Sequence, residues 1–280
     1  MSTRIGVRMV SLGVLLAVAA MAAPAAANTF ITLDDLNSQI RFTPDAGVIG
    51  WDVDGVNQLK RQGFWYRLEG QARATLGNGS GLGFYDLMPS DNDYHDGDET
   101  LSVRYGNPNP GGFGAVLTYY LAGEAANSHK SQLVETIAFN NQTAQAVHLQ
   151  FYQYCDFDLS GPNGADTVQL VNSNTMVQQG AGTRVAETVV TPSPALSEVA
   201  TYNSTLVKLN TTSADLDGTK GPLGSTDVTW AFQWDLAVPA GQTILISKIK
   251  NVTPEPATLT LMGLGLAATV ACRRMSKAKA

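Results

Sequence analysis

Apolar and polar residues alternate with a period of two along most of this chain. Thr29-Phe30-Ile31-Thr32-Leu33, Thr226 to Leu236 and Gln242 to Ile249 all follow that rhythm, which is how a strand with one buried face reads. Asn, Gly, Thr, Ser and Pro break the runs at short intervals, and no twelve-residue stretch holds a helical repeat. Asp54-Gly55 sits between Val53 and Val56, the pair that suits a type I′ hairpin turn. FNNQTAQ at 139–145 reads as a longer hairpin loop between two further strands. A succession of hairpins with no fixed internal period predicts an all-β fold, a large antiparallel two-sheet β-sandwich.

The two ends break the pattern. Arg4 and Arg8, an apolar run from Val10 to Ala20 and the small residues Ala25-Ala26-Ala27 form a secretory signal over residues 1–27. A signal helix is expected there, removed by signal peptidase. The β-sandwich domain is then expected over 28–252, outside the cytoplasm. At the other end Pro254-Glu255-Pro256 precedes an apolar run, Ala257 to Cys272, and the basic residues Arg273 and Arg274. Sixteen residues make a helix of roughly 24 Å, short of the roughly 30 Å hydrocarbon core of a bilayer. Residues 253–280 are therefore expected to hold a short hydrophobic helix that enters the inner membrane transiently, the basic residues stopping on the cytoplasmic side. The prolines keep the junction extended and exposed.

Composition changes the picture in three ways. Cys155 and Cys272 are the only cysteines, and the second lies in the apolar tail, so no intramolecular disulfide framework is expected. The core must hold the domain without staples, and a chain of this length can build one. Six of the 18 basic residues lie in the two end segments, and Glu255 is the one acidic residue outside 28–253. That leaves 12 basic against 23 acidic residues and a net charge of −11 over that range, which disfavours nucleic acid as a partner.

Candidate chemistry is sparse. Asp91, Asp93, Asp96, Asp98 and Glu99 fall within nine residues and offer oxygens of the kind Ca²⁺ prefers, although Gly97 comes one place late for an EF-hand. The failed spacing favours a solvated loop between strands, calcium is the one ion these residues could hold, and no cofactor is expected. His95 has no second His or Cys at zinc-ligand spacing. In the strand at 145–159, Val147, Leu149, Phe151, Cys155, Phe157 and Leu159 share one face, interrupted only by Gln153, so Cys155 is expected to be buried. The other face carries His148, Gln150, Tyr152, Tyr154, Asp156 and Asp158, aromatic rings beside carboxylates, as a glycan-binding face would. Trp230, Phe232, Trp234 and Leu236 alternate into the core, whereas Trp65 falls opposite Phe64 and Tyr66. No H-E-x-x-H, C-x-x-C, G-x-S-x-G or Walker sequence occurs, and a non-enzymatic protein is expected.

GWDVDGVNQLKRQGFWYRLEG (50–70), FYQYCDFDLSG (151–161), AETVVTPSP (186–194) and VTWAFQWDLAVPAGQTILISK (228–248), with the tail, resemble proteins of the PEP-CTERM class. Pro254-Glu255-Pro256, the apolar run and Arg273-Arg274 match its tripartite signal, with Thr253 where Val is usual. The resemblance implies a substrate of exosortase, a membrane transpeptidase-like enzyme of Gram-negative bacteria, and a cell-surface or extracellular-matrix protein associated with exopolysaccharide. A carbohydrate-binding module is the alternative. The predicted sandwich is also similar in architecture to aldose mutarotases, a likeness that brings no active site with it.

Overall fold

A computed structural model describes residues 31–255 except 79–80, 94–96, 108, 160, 162–163 and 212. The chain passes in order through β1 (Ile31–Asp35), β2 (Ser38–Thr43), β3 (Gly47–Val53), β4 (Val56–Leu68), β5 (Ala74–Thr75), β6 (Phe84–Ser90), β7 (Thr100–Gly106), β8 (Phe113–Gly123) and β9 (Ser131–Asn141). It continues through β10 (Val147–Phe157), β11 (Asp166–Asn172), β12 (Thr175–Gly180), β13 (Thr183–Thr191), β14 (Leu196–Thr201), a helix α1 (Ser204–Thr211), β15 (Leu223–Thr226), β16 (Val228–Val238) and β17 (Thr243–Pro254). The two antiparallel sheets of the expected sandwich are both present. One has the order β1-β2-β3-β4-β10-β16-β14, with β5 beside β4, and the other runs β15-β11-β12-β13-β17-β9-β8-β7-β6. The expected signal helix and C-terminal hydrophobic helix lie outside the described residues. Among the described residues no helix is long and apolar enough to cross a membrane.

The turn chemistry places the β3–β4 hairpin where the sequence put it. Asp54 and Gly55 take φ of 50° and 75°, both left-handed, as a two-residue turn of this kind requires. FNNQTAQ, in contrast, does not close a hairpin. β9 pairs with β8 and β17, whereas β10 pairs with β4 and β16, so residues 142–146 carry the chain from one sheet to the other. Asn141 fixes this crossing: its amide donates to the carbonyls of Gln145 (2.7 Å) and Val238 (2.8 Å). A polar side chain that satisfies two backbone acceptors imitates a turn without strand pairing.

Aromatic rings fill the space between the sheets. Phe151 on β10 stacks on Phe64 of β4 at 5.4 Å and meets Phe139 of β9 edge-on at 5.0 Å. Trp230, Phe232 and Trp234 are buried in the same cluster, and so are Cys155 and Trp51. The Trp51 indole donates across the layers to Ser131 Oγ at 3.1 Å, which satisfies its polar edge.

Candidate functional site

Three strands, β4, β10 and β16, present their outward side chains to one continuous sheet face. The register places Arg67, Gln150 and Asp235 in one row and Trp65, Tyr152 and Gln233 in the next. This is the face the sequence offered for glycan binding, and the structure divides it into three parts.

The middle is closed, which corrects the expectation of an open aromatic platform. Tyr152 and Tyr154 are fully buried, and with Trp65, Ala231, Leu209 and Leu216 they form a second small core beneath α1 and the segment that follows it. Trp65 stands edge-on to Tyr154 at 6.3 Å, and its indole donates to Asn210 Oδ1 at 3.0 Å. Gly63, opposite Tyr154 in the register, leaves room for the Trp65 indole, from which a Cβ there would sit only 3.1 Å away. Glu198, itself buried, ties down the cover. It accepts from Thr205 Oγ1 at 2.6 Å, from the Asp217 amide at 3.0 Å and from Lys208. Arg73 lies over the Tyr152 ring at 4.1 Å, a cation–π contact that seals the edge.

At one end of the cover the sheet opens into a cleft of about 550 Å³ lined by Arg67, Glu69, Gln71, His148, Gln150 and Asp235 among others. Here His148 is exposed, as the sequence expected. Arg67 pairs with Asp215 at 3.3 Å and donates to the Ser213 carbonyl at 2.6 Å. The Tyr152 hydroxyl donates to Gln150 Oε1 (3.1 Å) from below. Arg67 and Gln150 are therefore held in place by neighbours behind the floor.

At the other end Asp156 and Asp158 meet Asp227, one oxygen from each lying within 4.8 Å of the others. Asp156 is buried and one of its carboxylate oxygens has no hydrogen-bond partner. Burial, then the charges of Asp158 and Asp227, push its pKa up to about 7 against the pull of Lys60 and Arg61. Asp158 and Asp227 are shifted upward as well, again mainly by burial. The sequence assigned Asp156 and Asp158 to sugar hydroxyls. Asp156 is too buried for that and belongs to a carboxylate cluster.

In the acidic loop, Asp91, Asp93 and Glu99 do converge, with oxygens within 4.8 Å. Glu99 is buried and accepts from the Asn92 amide at 2.8 Å, and Asp93 N donates to Asp91 Oδ1 at 3.1 Å. Asp98 instead uses its backbone carbonyl to receive the Asp34 amide at 3.0 Å. Asp96 and His95 lie outside the described residues.

The C-terminal motif begins inside the sheet. Thr253 and Pro254 are the last residues of β17, opposite Arg184 and Thr183 of β13, and the Glu255 amide donates to the Gly182 carbonyl at 2.7 Å. The junction is extended, and Pro254 is exposed, as expected, but the ordered strand continues two residues past the boundary set at Val252. Pro256, Arg273 and Arg274 fall outside the described residues.

These features define an antiparallel β-sandwich whose last described strand runs into a C-terminal signal. That signal is a PEP-CTERM protein-sorting motif, matched over residues 252–274. It marks the protein for export and sorting toward the cell surface and is the substrate signal for exosortase processing. No curated protein matches the chain in sequence. Among solved structures it is similar to a bacterial glucoamylase complexed with acarbose, at 9% identity and a TM-score of 0.52, covering 82% of this chain and 32% of that one. The chain thus spans about a third of the glucoamylase, and the likeness is one of fold. A putative aldose 1-epimerase from Escherichia coli K12 (9% identity, 81% of this chain and 99% of that one, TM-score 0.49) is a weaker match. So is a galactose mutarotase related enzyme from Lactobacillus acidophilus (8%, 81% and 98%, 0.47).

Proposed function

We propose that the protein is a non-enzymatic component of an exopolysaccharide layer, delivered as a folded β-sandwich and detached from the inner membrane by cleavage near Pro254-Glu255-Pro256. The observation that carries this reading is the junction between fold and signal. β17 is paired on both sides, with β9 and β13, up to the first residues of the motif. A cut beyond Glu255 therefore leaves every described strand in place. The test is intact mass and fractionation of the protein from its own host, beside a Pro254→Ala/Pro256→Ala variant. The expected product runs from about Asn28 to the motif, is found outside the cell and is lost in the variant. A product that still includes Arg273 to Ala280 overturns the reading.

The cleft favours a second reading, saccharide binding. Its arginine, histidine, glutamine and aspartate are spaced along three adjacent strands, and the networks around Arg67 and Tyr152 order its floor. Ordered donors and acceptors in a concavity of this size suit a sugar's hydroxyls. The washed polymer fraction should release the protein with one oligosaccharide, and an Asp235→Asn/His148→Ala variant should lose that elution. Equal retention with every sugar refutes this second reading and leaves the first standing.

A further inference from the structure

Between the sheets, where β10 faces β17, the core contains ions. Gln62 and Gln153 point inward from one sheet and Glu135, Glu187, Lys248 and Lys250 from the other, all six essentially without solvent exposure. Lys250 Nζ lies 2.5 Å from Glu135 Oε2 and 3.1 Å from Glu187 Oε2, and Lys248 Nζ lies 2.5 Å from Glu135 Oε2 and 3.4 Å from Glu187 Oε1. Such a cluster is a poor route to stability alone, because stripping each ion of water costs several kcal/mol and an apolar filling is often as stable.

The contacts around Gln153 suggest what the cluster does. Its Oε1 accepts from Lys248 Nζ, and its Nε2 donates to Glu187 Oε2 at 2.8 Å. Glu187 Oε1 has no hydrogen-bond partner and faces Lys248. One carboxyl therefore touches both an amine and the nitrogen of the amide beside that amine. We propose that Lys248 and Gln153 react within the folded core to form an isopeptide bond that joins the two sheets.

In this step Lys248 passes a proton to Glu187, which turns two buried charges into two neutral groups with no change in net charge. The Lys248 Nζ lone pair attacks Gln153 Cδ and the Nζ–Cδ bond forms. The Cδ–Nε2 bond breaks, the proton held by Glu187 goes to the departing nitrogen, and one ammonia leaves. The Nζ proton lost from the new amide goes to Glu187, which has then accepted two protons and donated one and ends as the neutral acid, matching the charge lost from Lys248. Nothing is oxidised or reduced.

The rest of the cluster supports the step. The two lysines outweigh burial and hold Glu135 down to about 2, so the Lys250–Glu135 pair keeps its charge beside the reacting groups. Fixed proximity stands in for concentration, with effective molarities of roughly 10⁵–10⁸ M for well-placed partners. That enhancement lets an unactivated amide react at all. Cys155 Sγ, 3.1 Å from Gln153 Nε2, is the rival nucleophile, but burial and the Glu187 charge push its thiol up and keep it protonated.

The experiment is a denaturing intact-mass measurement on the purified full chain, followed by peptide mapping and thiol titration in denaturant. The expected result is a mass lower than the sequence by one ammonia, a linked peptide pair containing Gln153 and Lys248, and a titratable Cys155. Lys248→Arg should restore the full mass. An unchanged native mass overturns the proposal without any variant, even if Lys248→Arg fails to fold. Loss of ammonia with loss of the Cys155 thiol assigns a thioester instead, and loss of water assigns an amide to a glutamate. Either of these overturns it too.

Discussion

Replacing Asp156 by Asn should make the protein more stable at neutral and alkaline pH. In the folded state Asp156 keeps its proton up to about pH 7, whereas an ordinary aspartate has a pKa of 3.8. Well below pH 3.8 the group is protonated in both folded and unfolded chains, and it contributes no pH-dependent penalty. As pH rises from 4 to 7 the unfolded chain ionises while the folded one does not, so stability falls through that window and levels off above it. The gap of about three pH units, at about 1.36 kcal/mol each, sets a ceiling of about 4 kcal/mol on the penalty. Asn keeps the shape and cannot ionise. Guanidinium unfolding of the parent and of Asp156→Asn at pH 4 and pH 8 isolates the effect, because every other carboxylate is common to both. The stability difference between the two proteins should move in the variant's favour by roughly 2–4 kcal/mol from pH 4 to pH 8. A difference that is the same at both pH values would refute the argument and mean that water or a counter-ion already neutralises the Asp156–Asp158–Asp227 cluster.

Trp65→Ala should cost about 3–5 kcal/mol, as large-to-small changes in a packed core do, and should raise the accessibility of Tyr152 and Tyr154; denaturant midpoints and tyrosine nitration check both. Glu198→Gln weakens the anchor of the cover and should speed amide exchange across residues 204–217 by at least tenfold, with little change in the second sheet. Unchanged exchange would show that apolar packing alone holds α1. Calcium at millimolar concentration should raise the melting temperature through Asp91, Asp93 and Glu99, an effect that Asp91→Asn should abolish; a flat titration removes calcium from the account.

The parts legible in the sequence were those fixed by local geometry. Alternation alone placed Trp230, Phe232 and Trp234 inside, and Asp54-Gly55 announced its own turn. What it could not supply was pairing. Phe139 to Gln145 has the composition of a hairpin loop, and only the long-range partners of β9 and β10 show that it crosses between sheets. The outward aromatics failed for a related reason. Trp65 and Tyr152 become neighbours through strand register, and eight residues of α1, too short to leave a helical repeat, then cover them. The ionic core did leave a trace. Glu135 falls at an inward position between Leu133 and Ile137, and Lys248 and Lys250 do the same between Ile246 and Val252. A charge at the apolar parity of a strand either turns that strand outward or requires a partner across the layer. Gln153, which looked like a mere interruption, is one of those partners.

β17 is the last strand among the described residues, yet it lies deep within its sheet, between β13 and β9. A chain crossing the membrane from its N-terminus delivers both neighbours before the strand that unites them, and until then each shows an unpaired edge open to the wrong partner. Order of delivery thus makes the fold a record of completeness. A truncated chain lacks the closing strand and the sorting signal together, so a molecule that presents the signal already holds the residues that seal its second sheet.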